Sequence, residues 1–239
     1  MRWCRPWARE AIPATVRNQL TASLPVMRPE RPVHDLPEDL DLPLATGEPW
    51  WYWLGGRPAL DLANTLRERW RRRVETLVTP GDLEVWLVQA GVMAESTDFA
   101  VTPDVLAEAR DLREAIDACA TALVTGAPAP ADAVRHIDGW LKFAGARPAL
   151  VLDAAGVPAL GERGAGHSPR RALGAIALDA ARMLGDPAER VRVRVCASET
   201  CSARFYDRSP AGRRRWCSMR TCGNEAKARR HRERGRTAA

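Results

Sequence analysis

Four cysteines in two pairs of equal spacing, Cys196-x4-Cys201 and Cys217-x4-Cys222, lie fifteen residues apart in this chain of 239 residues. Thiolates so arranged supply what a tetrahedral zinc ion requires. Each short pair brings two sulfurs to one side of the ion, and the insert returns the chain to close the other. A Cys4 set leaves no open position for water or substrate, so the expected cofactor is one structural Zn2+, with redox thiols as the alternative use. In a module this small the metal takes the place of a core.

Positive charge crowds around those cysteines. Arg213, Arg214 and Arg215 sit inside the insert, Arg220 lies between the third and fourth cysteines, and Lys227, Arg229, Arg230, Arg232 and Arg234 follow. Residues 190–239 carry a net +11 and residues 1–189 a net −5, which together give the chain's +6. Such asymmetry points to a basic element made for a polyanion. The stretch from about 225 to 234 reads as a helix with almost no apolar residue after Ala228, so it cannot bury itself. It is either a solvated tail or one surface of a nucleic-acid site. A helix of that length spans about 15 Å and fits a major groove, where Arg can read guanine.

DNA is therefore the expected partner of these nine basic residues. RNA is the runner-up, because Phe205, Tyr206 and Trp216 offer stacking faces for single strands, although strand residues of a small domain more often form its core. A third reading is an adaptor whose basic helix meets an acidic protein. A lone short finger needs a second copy for specificity, which makes a homodimer an expectation too.

The insert reads as strand, turn and strand, over 203–207 and 213–216, with Asn224 capping the helix and Glu225 in its first turn. Knuckle, hairpin, knuckle and helix describe a treble-clef-like module. Strict alternation over Val191–Val195 predicts a half-buried strand that runs into Cys196 with Arg192 and Arg194 outward.

Further upstream, helical periodicity dominates. Leu62, Leu66 and Trp70 predict a helix over 59–73, with Asp61 and Asn64 on one turn of it as a buried polar pair serving the Gly55-Gly56 turn. The aromatic run Trp50 to Trp53 reads as a short strand capping a core. Pro80-Gly81-Asp82 opens a helix that ends at Gly91. Thr102 and Pro103 start a longer one whose inward stripe is Val105, Ala109, Leu112, Ile116, Cys119 and Leu123. A short helix around Val134 to Leu141 leaves His136 in solvent. Residues 149–152 and 157–160 predict a hairpin, GERGAGH a flexible loop, and Ser168-Pro169 a helix that stops at Gly185. Residues 1–48 hold seven prolines and read as a disordered extension, within which Met27 is an alternative start. The expected organisation is that extension, a helix-rich regulatory domain over 49–188 and a zinc module over 189–236. The fold class is α+β, mainly helical.

The segment with FYDRS, RRRWCSM and CGN-x-x-KARRHR resembles the CGNR-type zinc finger. From Gly55-Gly56 through LDLANT to about residue 180, the chain resembles the helical domain that accompanies that finger in bacterial stress-induced transcription regulators (ABATE-like). The resemblance implies a DNA-binding finger with Cys196, Cys201, Cys217 and Cys222 as ligands. Glu225 departs from it, since the name-giving motif has Arg there.

Several classes are excluded or disfavoured. There is no apolar run of membrane-spanning length, and the N-terminal stretch has no uninterrupted apolar segment of a secretory signal. The expected compartment is the cytoplasm, where clustered thiols serve metal rather than disulfides. No phosphate loop, His-x-Glu metal motif or nucleophile with its base is present, so no enzyme is expected.

Overall fold

The computed structural model describes residues 36–47, 50–94, 100–145, 147–152, 155–163 and 168–237. The expectations placed on residues 1–35, including Met27, and on 164–167 lie outside them. The elements in chain order are α1 (Pro58–Ala63), β1 (Leu66–Arg67), β2 (Val74–Glu75), α2 (Pro80–Gln89), α3 (Pro103–Thr125) and α4 (Ala131–Trp140). A short 3-10 turn, Leu141–Phe143, leads to β3 (Arg147–Leu152) and β4 (Pro158–Arg163). Then come α5 (Pro169–Gly185), α6 (Pro187–Arg190), β5 (Val193–Val195), β6 (Arg204–Tyr206), a π-helical turn (Met219–Gly223) and α7 (Asn224–Thr237). The three sheets are two-stranded antiparallel ladders, β1 with β2, β3 with β4 and β5 with β6.

The helices start where local chemistry tells them to. Thr79 accepts from the Asp82 amide while the Asp82 carboxylate accepts from the Thr79 amide, a reciprocal cap over a proline at the first position. Thr102 and Ser168 cap α3 and α5 in the same hydroxyl-to-amide manner. Gly126 ends α3 in the left-handed region at φ 73°, which an L side chain enters only at a cost.

Helix α3 is the axis of the main core. Val105, Ala109, Leu112, Ile116 and Cys119 are buried on it, and α1, α2, α4 and α5 pack around with Leu60, Leu62, Trp86, Ile137, Leu173 and Ile176. Trp53 stacks on Trp86 with ring centroids 5.6 Å apart. Residues 50–54 are thus packed, with Trp51, Tyr52 and Trp53 buried, but they form no strand in any ladder of the described residues. His136 is exposed, as expected.

Four local expectations are corrected. The helix predicted over 59–73 ends at Ala63, since Asn64 turns its amide onto another part of the chain and Glu68 and Arg73 take positive φ (47° and 52°). Trp70, placed on its inward stripe, is half exposed. Residues 36–47, assigned to a disordered extension, contribute Leu36 and Leu44 to a small cluster around Val74. Gly161 to Arg163, assigned to a loop, continue β4. Finally, β6 pairs with β5 rather than with 213–216, so the hairpin encloses the first cysteine pair instead of separating the two.

That hairpin is joined to α1 by one side chain. The Asn64 amide donates to the Arg204 carbonyl at 2.9 Å and accepts from the Arg204 amide at 2.8 Å, completing a strand-like pair with a side chain. Asp61 accepts from the Gly55 amide at 2.7 Å, and the Gly55 carbonyl accepts from the Tyr206 amide at 2.8 Å. A Cβ at Gly55 would stand 2.6 Å from the Asp61 nitrogen, so only glycine permits this approach. Replacing Asn64 with Ala strands a donor and an acceptor of buried Arg204 at roughly 1–3 kcal/mol each. Chemical denaturation of Asn64→Ala is expected to show a loss of about 2–4 kcal/mol, and an unchanged midpoint would refute this role.

Candidate metal centre and basic surface

The four sulfurs of Cys196, Cys201, Cys217 and Cys222 lie within 4.8 Å of one another, and all four residues are buried. Cys201 and Cys217 are 3.7 Å apart at sulfur, and Cys217 and Cys222 are 3.8 Å apart. A tetrahedron with Zn–S bonds of about 2.3 Å has edges of about 3.8 Å. The cluster therefore has the dimensions of a zinc site and is far too open for a disulfide, whose sulfurs sit about 2 Å apart. Without a cation, four such thiols compete for protons. Hydrogen bonding from Cys201 is the largest cause holding Cys196 below the usual thiol range, and hydrogen bonding with Cys196 is the largest pushing Cys217 above it. A divalent cation removes the conflict by taking all four as thiolates.

Each knuckle has its own scaffold. Cys196 leaves β5 with its amide bonded to the Ala203 carbonyl, and the Cys201 amide bonds the Ser198 carbonyl. The second knuckle rides on the π-helical turn that carries Cys222 and passes directly into α7, with the Gly223 amide bonded to the Ser218 carbonyl. Asn224 does not cap α7 as predicted. It has helical φ and ψ (−71°, −39°), and its side chain donates back to the Arg220 carbonyl at 3.1 Å. The preceding turn has already satisfied what an N-cap would have supplied.

Around the cysteines lies a small core of Tyr52, Ala203 and Phe205, with Leu54 and Trp216 packed against it. Tyr52 and Leu54 come from the other end of the chain, so the module's interior is completed by the helical part. Burial pushes the Tyr52 phenol well above its usual range, and the Arg67 guanidinium lies 3.7 Å from its ring centre. Phe205 is fully buried, which removes it as a stacking platform. Tyr206 and Trp216 are half-buried, with Arg57 and Arg215 set over their rings at 5.4 Å and 5.2 Å.

The nine basic residues named from the sequence divide. Arg213, Arg215, Arg220, Lys227, Arg229, Arg230, Arg232 and Arg234 are exposed. Arg214 is not part of that open set. Its amide donates to Asp207 at 2.8 Å, its guanidinium to the Cys217 carbonyl at 2.7 Å, and it lies 5.1 Å from the centre of the Phe205 ring. Asp207 in turn is fully buried. Burial alone would raise its carboxyl, but hydrogen bonds from Ser209 and Arg214 outweigh that and hold it below the usual range. Arg192 and Arg194, expected on an outer face, reach the Ser209 and Gly212 carbonyls at 2.7 Å and 2.9 Å and fix the insert. Arg229 makes a surface ion pair with Glu199 at 3.0 Å, a contact worth little in water.

Sequence reasoning missed the buried arginines that join the two parts. Arg204 pairs with Asp117 of α3 at 2.6 Å, Arg69 meets the same carboxylate at 3.3 Å, and the Arg69 amide takes Ser202 at 3.1 Å. Within the helical part, partly buried Arg57 bridges Asp179 of α5 and Glu189 of α6 at 2.8 Å and 2.6 Å, a link that was also missed. The available signal was the basic run after LDLANT, which helical periodicity made look like a solvated helix end. Glu225 lines a cavity of about 220 Å³ together with Arg67, Glu68, Arg71 and Arg72. Glu38 lines it too, and Glu68 is already ion-paired with Arg71 and Arg72.

Because Arg214 is internal and Arg213 is not, their alanine variants separate. Arg214→Ala is expected to lower stability by about 1–3 kcal/mol through its charged hydrogen bond to the knuckle, and Arg213→Ala to stay within about 0.5 kcal/mol. Thermal or denaturant unfolding of the two, side by side, checks this, and equal losses would contradict it.

Comparison with protein families agrees with the two parts. A family model described as "Putative stress-induced transcription regulator" (ABATE) matches residues 56–187, and one described as "CGNR zinc finger" matches residues 192–235. A comparison with curated proteins gives no match. Since the first match spans more than half of the 239 residues, the chain belongs to the ABATE family and carries a CGNR zinc finger after the ABATE region.

Proposed function

We propose that this zinc-binding regulator acts through its finger as a DNA-binding element, held in place by a single structural zinc ion. The observation that carries the proposal is α7. Among its described side chains only Ala226 is buried, while Lys227, Arg229, Arg230, Arg232 and Arg234 are exposed. A helix this polar gains little from the protein's own core, which it meets through Ala226 at the end that follows Cys222. Neutralising phosphates is the interaction that suits it. Arg213, Arg215 and Arg220 extend the charge onto the second knuckle. Trp216 supports the connection, since its ring carbon lies 3.3 Å from where a Cβ at Gly223 would be.

Duplex DNA is favoured over single-stranded RNA because none of the three rings named from the sequence is freely exposed beside the charge. Phe205 lies inside the module, and the rings of Tyr206 and Trp216 already carry arginines. No catalytic role is assigned, because a closed Cys4 sphere offers no site for substrate. The helical part is assigned to sensing or assembly, in the cytoplasm.

If six phosphates are contacted, the logarithm of affinity for a duplex falls against log salt with a slope of about −5. Exchanging Arg213, Arg215 and Arg220 together for Ala is expected to flatten that slope by about three units. Fluorescence anisotropy with duplex DNA, with single-stranded RNA as competitor, measures both; a salt-independent signal or preferential RNA binding would reject the reading. Independently, metal analysis is expected to find one zinc per chain. Strong chelation should unfold the finger and abolish DNA binding while the circular dichroism of the main helical core persists. Full retention of DNA binding by metal-free protein would count against a structural ion.

A further inference from the structure

We infer that the β3–β4 hairpin is the contact through which two copies of this chain form a two-fold dimer. The ladder places Leu150 opposite Leu160 and Leu152 opposite Pro158, so these four side chains share one face. That face is the most exposed apolar surface of the described residues, with Leu160 82% accessible, Leu150 73% and Leu152 70%, next to Val157 at 56%. None of them belongs to the three hydrophobic clusters of the fold. A two-stranded hairpin is marginal alone in water, and an apolar strip on the order of 500 Å² marks an interaction site.

What covers it follows from its chemistry and size. The leucines and Pro158 carry no donor for phosphate, and the register puts an acid, Glu162 opposite Pro148, at the far end of the same face, so the face does not extend the nucleic-acid surface. A two-fold axis brings every group near its own image, which repels wherever that group is charged. An axis at the Leu150–Leu160 pair sets leucine against leucine without that penalty and leaves the two Glu162 positions at opposite ends of the contact. Two such strips together bury on the order of 1,000 Å², about the threshold for a specific protein interface. The occupant is therefore a second copy, with each leucine row set against the other.

Sedimentation of the zinc-loaded chain without DNA tests this apart from any DNA-binding result. The weight-average mass is expected to rise from one chain towards two as concentration increases through the micromolar range. Leu160→Asp and Leu150→Asp are each expected to weaken the dimer at least tenfold. Because these side chains touch no core, zinc content and unfolding midpoint should not change, which separates a lost interface from a lost fold. Val134→Asp alters an apolar side chain of similar type, 48% exposed on α4, and is expected to leave dimerisation intact. A wild-type chain that stays monomeric, an Asp variant that associates as well as wild type, or a dimer lost only in Val134→Asp would overturn the proposal.

Discussion

Everything that aims the finger depends on Arg204. Its main chain is paired by Asn64 as though by a neighbouring strand, and its guanidinium reaches Asp117 and Thr121 on α3. Both kinds of contact are inside the protein, where an unpartnered donor or acceptor would be expensive. Hence β6, the ladder with β5 and the first knuckle are fixed with respect to the long central helix. The Ser202 hydroxyl, the Tyr206 amide and the Arg208 guanidinium add bonds to Arg69, Gly55 and Gly56 on either side of it. A small metal module usually stands or falls by its ion, but this one also leans on Tyr52 and Leu54 from the other part of the chain.

Two constraints divide the work. The four buried cysteines meet from the two ends of the fifteen-residue insert, where a zinc ion would hold as thiolates what are otherwise four competing thiols. The arginine network positions the closed result. Arg192, Arg194 and Arg214 bond carbonyls along the insert, so the loop between the knuckles is held by side chains rather than by a second ladder. This explains why 213–216 is not a strand although its composition allowed one. The pairing edge of β6 belongs to β5, and the other segment is satisfied piecemeal by Asp207 and by the Ala197 amide.

Much of this was legible in the sequence because it was local. Caps at Thr79, Thr102 and Ser168, the inward stripe of α3, the β3–β4 hairpin and the cysteine set each follow from residues close in the chain. What failed was non-local. The periodicity of Leu62, Leu66 and Trp70 is genuine, but the backbone there answers to Arg204, 140 positions away from Asn64, and to the turn made by Glu68 and Arg73. Asp61 was correctly tied to the Gly55-Gly56 turn, whereas its neighbour Asn64 was given too local a role. Propensity cannot see a partner that arrives only on folding.

The same blindness affects how a basic run is read. This chain has thirty-four Arg against two Lys, and Arg is the cation best able to be buried, since its planar fork bonds several carbonyls or carboxylates at once. Of the fourteen Arg after residue 189, Arg192, Arg194, Arg204 and Arg214 have such internal partners. The net +11 of that region therefore overstates what a polyanion meets. Subtracting them leaves the charge on Arg190, Arg208, Arg213, Arg215, Arg220 and α7. The remaining charge is smaller but more sharply placed, gathered mostly around the second cysteine pair and on α7. Glu225, exposed in the first turn of α7, offsets one of those charges at the end of the helix next to Cys222.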